Sequence, residues 1–513
     1  MNSALLLTIV LSYFLLLLFI SYFTSRGSNN ESFFVGNRSS KWWVVAFGMI
    51  GSSLSGMTFI SVPGTVGTSA FDYFQVVIGY WLGYFIVAYV LLPVYYKMKL
   101  TSIYTYLERR LGRNAHKTGS LFFILSRTVG ATLRLYLVIK VLEIFVLGEL
   151  HISFEWVAIV IMVLILLYTF KGGVKTIVWT DTLQTTFMLL SLLAFIYYLL
   201  SQTGMGLGEA WHTLSRQQLT RVFTYEALPG NNFIKEIIGG ALITIGMTGL
   251  DQEMMQKNIS VRTLKDSQKN MVVMGTMQMI VVFIFLFLGG ILTVYAQQKG
   301  INASGDDLFP AIAIQSGLPF ALTIIFIIGL ISALFPSADG ALTALTSSSC
   351  IDLLGMEHRK NWSDKKKTRI RLIIHNLFAL IFLGFIFFFR EVDNGSLIII
   401  LLKLAGYTYG PLLGLFAFGL LTHKQSAPAW PLWASLIAIL LTLGVDLIND
   451  PEWYAIRLNF SEPLTQNLLQ WSHNIFHGYK IGVELLGLNA LITFGLLFLR
   501  AKKSTPFKLE QES

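Results

Sequence analysis

The chain has 513 residues, 54% of them hydrophobic and only 13% charged, with a mean hydropathy of +0.64. A soluble globular chain carries about 25% charged residues, so this composition excludes a water-soluble protein and calls for a bilayer as solvent. The net charge of +10 invites a nucleic-acid reading, which the distribution of the cations removes.

Apolar runs long enough to span recur at about 4–24, 42–62, 73–96, 119–147, 153–170, 177–200, 234–256, 271–296, 319–347, 372–390, 396–421, 430–448 and 482–500, or about 13 helices. The first run has no positive segment before it, and Arg26 follows it, so it reads as an uncleaved helix with its N-terminus outside. On that orientation the inner segments are 25–41, 97–118, 171–176, 257–270, 357–371, 422–429 and the tail. They hold roughly 27 of the Lys and Arg residues, against about 5 in the outer segments. The basic balance is therefore topology. The expectation is a multi-pass protein of the cell membrane with a cytoplasmic C-terminus, a monomer in the lipid bilayer with no nucleic-acid partner. RKNWSDKKKTRIR (359–371) is a cytoplasmic anchor.

Two runs depart from a uniform apolar helix. GMIGSSLSGMTFISVPG (48–64) and IIGGALITIGMTGLDQ (237–252) are rich in Gly, Ser and Thr. Glycine weakens a helix by about 1 kcal/mol relative to alanine, so such clusters either unwind or serve as close-packing faces. They open two blocks of five spans each, 42–200 and 234–421, and an odd number of spans separates their starts. That arrangement points to inverted repeats with a midplane site built from broken helices. Residues 1–41 form an accessory span and loop, 201–233 an outer loop, and 422–513 two accessory spans and the tail.

Polar groups at membrane depth mark candidate sites, because hydrocarbon tolerates a charge only where it faces a cavity or a partner. Asp181 lies in KGGVKTIVWTDTLQ (171–184), two turns beyond a Gly-Gly turn, and Asp339 lies in LFPSADGALTALT, three residues after Pro336. Arg127 and Arg134 are seven apart and share a helical face, while Lys403 interrupts LIIILLKLAGYTYG. Arg127, Arg134 and Lys403 read equally well as site residues and as members of buried ion pairs. No HExxH, GxSxG or histidine pair falls within a span, which disfavours an enzyme. The single cysteine, Cys350, forms no internal disulfide and is expected to pack at the inner end of a span.

KGGVKTIVWTDTLQ, GSSLSGMTFISVPG, GLDQEMMQKNISVRTLKDSQKN and AGYTYGPLLGLFAFGLL, in that company, resemble the sodium:solute symporter family, whose members carry glucose and galactose, sialic acid, proline, pantothenate and myo-inositol. The resemblance runs from about residue 30 to 425 and implies an all-α membrane protein with the five-plus-five inverted-repeat leucine-transporter fold. It implies uptake of a small organic solute driven by Na+, one or two ions, with no organic cofactor. Matching the motifs puts the sodium ligands at Gly51, Leu54, Ala333, Pro336 and Ser337. Pro336 departs from the pattern, since a hydroxyl is usual there. Its missing N–H leaves the Ser332 carbonyl free for a cation or water.

Some members hold a second ion on the acid that matches Asp181, with two hydroxyls that correspond to Asp339 and Gly340. Asp181 and Asp339 are accordingly expected to face one another across a sodium ion, a shared proton, or both. For the solute, Ser53, Ser55 and Thr58 match the sialic acid members, and Arg127 or Arg134 supplies a guanidinium for a carboxylate. Tyr73 and Gln75 are further lining candidates. The positions of a galactose site fall near Thr58, Val77, Tyr80 and Thr244, with Met247 at an inner gate, where Val77 offers no hydrogen bond. An acidic solute such as sialic acid therefore leads. The alternatives are a sugar or polyol symporter, a solute sensor that does not translocate, and an intramembrane enzyme using Asp181 and Asp339.

Overall fold

The computed structural model of the protein describes residues 3–26, 29–147, 152–228, 230–315, 317–359, 361–392 and 397–503. The described residues are almost wholly helical. α1 spans Ser3–Thr24. A first bent pair follows, α2 (Trp42–Ser53) and α3 (Gly56–Ser69), turned by 55°. Four helices come next: α4 (Phe74–Lys97), α5 (Arg113–Ile144), α6 (Phe154–Gly172) and α7 (Val174–Thr203). A second bent pair, α8 (Phe233–Gly249) and α9 (Gln252–Ile259), turns by 65° and again precedes four helices. These are α10 (Leu264–Lys299), α11 (Phe320–Leu353), α12 (Asp364–Val392) and α13 (Leu397–Leu421). α14 (Trp430–Asn449) and α15 (Leu485–Leu499) complete the bundle.

Among the described residues eight helices are long and apolar enough to cross a membrane, ten if each bent pair counts as one span. Three shorter apolar helices, in α1, α6 and α15, accompany them. The segments 201–233 and 449–481, expected from the sequence as connecting loops, carry helices of their own, Leu207–Arg216, Pro451–Leu458 and Glu462–Phe476. A two-stranded antiparallel ladder pairs β1 (Lys424–Ser426) with β2 (Ala501–Lys503), tying the ends of α13 and α15 together.

Both breaks follow from the local sequence. At the first, Leu54 takes φ −88° and ψ 90°, so its N–H still bonds the Ile50 carbonyl at 2.7 Å but the ladder goes no further. The carbonyls of the last turn of α2 lose their intrahelical donors. At the second, Asp251 adopts an extended backbone and caps α9, its Oδ1 accepting from the N–H groups of Glu253 (2.9 Å) and Met254 (3.3 Å). The turn between α6 and α7 rests on Gly173 at φ +52°, where a Cβ would lie 2.5 Å from the Phe33 Cα.

α7 packs along α11, α2 and α10, while α4 packs along α8 and α13 along α5. The α4–α8 contact is backbone on backbone: a Cβ on Gly79 would stand 2.2 Å from the Ile237 carbonyl oxygen, and one on Gly240 2.3 Å from that of Val76. Cys350 is buried in a small separate cluster with Phe33, Phe34, Val35, Ile351 and Met356. Gly79→Leu is expected to abolish monodisperse elution of the detergent-solubilised protein, since neither backbone can retreat. Gly384→Ala, at a position with open space around it, should elute as wild type, and equal behaviour of the two variants would refute the close contact.

Candidate functional site

The two breaks meet at an open cavity of about 90 Å³. Ser53, Ser55 and Thr58 reach it from the α2–α3 break, Tyr73 and Tyr80 from the start of α4, Arg127 and Arg134 from one face of α5, and Thr244 and Met247 from α8. Ser53 is held in place by Gln278, whose Oε1 accepts from the serine hydroxyl at 2.8 Å and from the Tyr84 hydroxyl at 2.5 Å. The Tyr73 and Tyr80 hydroxyls lie 3.4 Å apart.

Gln75 is placed elsewhere. Its amide donates to Asp72 Oδ1 and accepts from the Thr224 N–H at 3.1 Å, so it fastens the segment before α8 to α4 and does not line the cavity. Val77 is likewise buried away from it.

The two arginines differ in their surroundings. Arg127 donates to Glu253 Oε2, with Asp251 Oδ2 at 3.8 Å, and Tyr409 donates to that same Asp251 oxygen at 2.8 Å. Arg134 is only 8% exposed, and among the described residues no hydrogen bond or ion pair reaches it; its Nε is buried without a partner. A buried guanidinium on a cavity wall with no counter-ion is a ready receptor for an anion.

The candidate sodium residues cluster one layer deeper. The end of α2 abuts α7 and α11: the Gly51 N–H meets Thr185 Oγ1 at 3.1 Å, and a Cβ on Gly51 would lie 3.6 Å from Pro336 Cγ. Leu54, Ala333, Pro336 and Ser337 are all buried, and the Ser337 hydroxyl donates to the Leu334 carbonyl at 2.9 Å. The Ser332 hydroxyl, one turn before Pro336, pairs with the Tyr13 hydroxyl at 2.8 Å, which brings α1 against this helix.

Asp339 and Asp181 lie within electrostatic range of one another but take different partners. The Tyr168 hydroxyl donates to Asp339 Oδ2 at 2.9 Å and the Gly340 N–H to its Oδ1 at 2.5 Å. Asp181 Oδ2 receives the Ser52 hydroxyl at 2.9 Å and the Lys257 ammonium at 2.8 Å. Lys257 also donates to Ser52 Oγ at 2.6 Å and to Glu253 Oε1 at 3.1 Å.

Lys257 and Glu253 are functional candidates that the sequence reading missed. Lys257 follows an apolar run and was counted with an inner loop, yet it is 2% exposed. The signal available was the spacing: Glu253 and Lys257 stand four apart on a helix, where an acid and a base pair. Lys403, the remaining sequence candidate, lies outside this group and bonds Asp446 Oδ2 and Asp450 Oδ2, both at 3.1 Å.

A family model described as the sodium:solute symporter family matches residues 33–437, and the chain belongs to that family. It is similar to the sodium-dependent multivitamin transporter of Oryctolagus cuniculus, 24% identical over 79% of this chain and 66% of that longer relative. It is 25% identical to the sodium/sialic acid symporter of Proteus mirabilis over 83% of this chain and 87% of that one. Among solved structures, a Na+-coupled sialic acid symporter superposes with a TM-score of 0.79 at 18% identity, covering 97% of this chain and 99% of the other, and so shares its fold.

Glu253 joins Arg127 to Lys257, and removing one partner from a buried ion pair costs about 3–5 kcal/mol. Glu253→Gln is expected to lower the melting temperature in detergent by several degrees. Adding Arg127→Met should recover part of that loss, and strictly additive effects would refute the coupling.

Proposed function

We propose that this sodium:solute symporter takes up a small organic carboxylate, anchored by Arg134, at the cost of inward sodium movement. The observation that carries the reading is the guanidinium of Arg134, buried on the cavity wall with no ion pair among the described residues. A carboxylate satisfies it with two parallel hydrogen bonds, whereas a neutral sugar leaves the charge uncompensated. Arg127 is the weaker candidate because Glu253 and Asp251 already neutralise it. Ser53, Ser55, Thr58 and Tyr73 supply hydroxyls for the rest of the solute, and Gln75 drops out of the set. That a related symporter is named for sialic acid, itself a carboxylate, agrees with this assignment.

The sodium ion sits between the end of α2 and α11, on the freed carbonyls of Gly51 and Leu54, the Ala333 backbone, and the Pro336–Ser337 turn. Hard cations of this kind prefer oxygen ligands, and an unwound helix end supplies carbonyls at no cost to side-chain chemistry. Asp339 lies on the same helix and adds a negative field. Each positive charge entering down about 100 mV contributes roughly 2.3 kcal/mol, enough to support accumulation. The N-terminus lies outside and the C-terminus in the cytoplasm, as the cation distribution requires.

The test is uptake into proteoliposomes under an imposed sodium gradient, with radiolabelled acidic sugars, monocarboxylates and neutral sugars compared. Accumulation of an acid is expected. Loss of a charged hydrogen-bond pair is worth about 1.5–3 kcal/mol, so Arg134→Met should reduce that uptake roughly 10- to 100-fold while Arg134→Lys retains part of it. Uptake of a neutral sugar unaffected by Arg134→Met would overturn the assignment. Separately, Asp339→Asn is expected to shift half-activation by sodium about threefold or more, by removing a nearby negative charge; unchanged sodium activation would remove Asp339 from the ion's surroundings.

A further inference from the structure

We infer that Lys257 is a tethered cation that occupies the Asp181 position itself, so that this acid is closed to a second sodium ion in the protein as it stands. The inference rests on the sodium-symport reading above and concerns how many ions that symport uses.

The argument begins with the protons of the ammonium. Lys257 has three N–H donors, and all three are spent on oxygens: Asp181 Oδ2, Ser52 Oγ and Glu253 Oε1. These come from α7, from the last turn of α2 and from α9 itself. The cage is one that a monovalent cation also accepts, a carboxylate, a hydroxyl and a second carboxylate, all buried. The fixed charge is already in place there.

The surroundings make that charge difficult to displace. Asp181, Lys257, Glu253, Arg127 and Asp251 alternate in sign along a chain of contacts, so each base sits between two acids. A sodium ion entering at Asp181 would stand within a few ångströms of the ammonium and compete for the same oxygen. Withdrawal of Lys257 from Asp181 would leave that buried carboxylate without its cation. Gly340 has no side chain to offer, and the position beside it is filled instead by Glu253, whose Oε1 would lie 2.3 Å from a Cβ placed there. The hydroxyl pair that would complete a second ion site next to Asp181 is therefore absent from this face of α11.

Removing the tether should reopen the position. In Lys257→Gln, Asp181 keeps Ser52 as a partner but loses its cation, and its second oxygen, Oδ1, is already buried without a hydrogen bond. Sodium is the available replacement. Neutralising both members together, in Lys257→Gln/Asp181→Asn, removes the Asp181 carboxylate that sodium would bind there.

The experiment is equilibrium binding of radioactive sodium to the purified full-length protein in detergent, with choline holding ionic strength constant and no solute present. The wild-type protein is expected to bind about one ion per chain at saturation, and Lys257→Gln about two. The double variant, which also serves if the single one does not fold, should keep its sodium midpoint within about threefold of wild type. Two ions bound by the wild type would overturn the inference. So would a folded Lys257→Gln that still binds one ion, or a roughly tenfold weakening in the double variant, since Asp181 would then be a sodium ligand. No specific sodium binding by the wild type would instead refute sodium symport, a different failure from these.

Discussion

A charge taken out of water persists only if an opposite charge or several dipoles come with it, and that requirement organises this bundle more than any apolar contact. Glu253 is the hinge of the arrangement. One of its oxygens meets Arg127 on α5 and the other meets Lys257 on its own helix, while Lys257 reaches Asp181 on α7. Asp251 continues the chain by capping α9, approaching Arg127 and accepting from Tyr409 on α13. Four helices, α5, α7, α9 and α13, are thus held in one register by alternating charges and the Tyr409 hydroxyl. Arg134 shares a face of α5 with Arg127 and lines the cavity beside it, but makes no ion pair of its own among the described residues.

The interruptions of α2–α3 and α8–α9 make this possible. An unbroken helix presents only side chains to its neighbours, whereas a break presents carbonyls, N–H groups and a capping acid at membrane depth. The first break brings Gly51 close to Pro336 of α11 and the second sets Asp251 and Glu253 against α5. Gly79 and Gly240 complement them, because they allow α4 and α8 to touch at the backbone and so bring the two breaks to opposite walls of one cavity.

Much of this was legible in the sequence, for reasons that are physical. Span length is fixed by bilayer thickness, so the apolar runs translate directly into helices. Gly-Ser clusters unwind wherever they fall, and both breaks lie within the runs that carry them. Asp181, Asp339, Arg127, Arg134 and Lys403 stood out because few residues within the apolar runs are charged. Lys257 did not, because a lysine just beyond an apolar run obeys the same inner-loop statistics whether it points to water or turns inward with a bent helix. Gln75 was placed in the pocket on its polarity alone, and polarity does not distinguish a solute ligand from a clamp on Asp72 and the 224 backbone. The β1–β2 ladder joins segments that lie 74 or more residues apart, a pairing that no local pattern announces.

Alternating access must change which face of the cavity is open without stranding any of these charges. Arg127 and Glu253 lie on different helices, α5 and α9, and so do Tyr409 and Asp251, on α13 and α9. Any motion of α9 away from α5 and α13 would part both pairs at once. Lys257, by contrast, keeps Glu253 as a partner within α9, whatever α9 does, because the two are one turn apart. The ammonium can therefore follow the helix while Asp181 remains on α7 with Ser52 from α2. Were α9 to move in this way, Arg127 would lose its acids, and the carboxylate solute proposed to bind beside Arg134 on the same face of α5 would be placed to offset that loss. On this reading charge compensation ties the solute to the conformational change, since the guanidiniums of α5 lose protein acids most cheaply when the cavity already holds an anion.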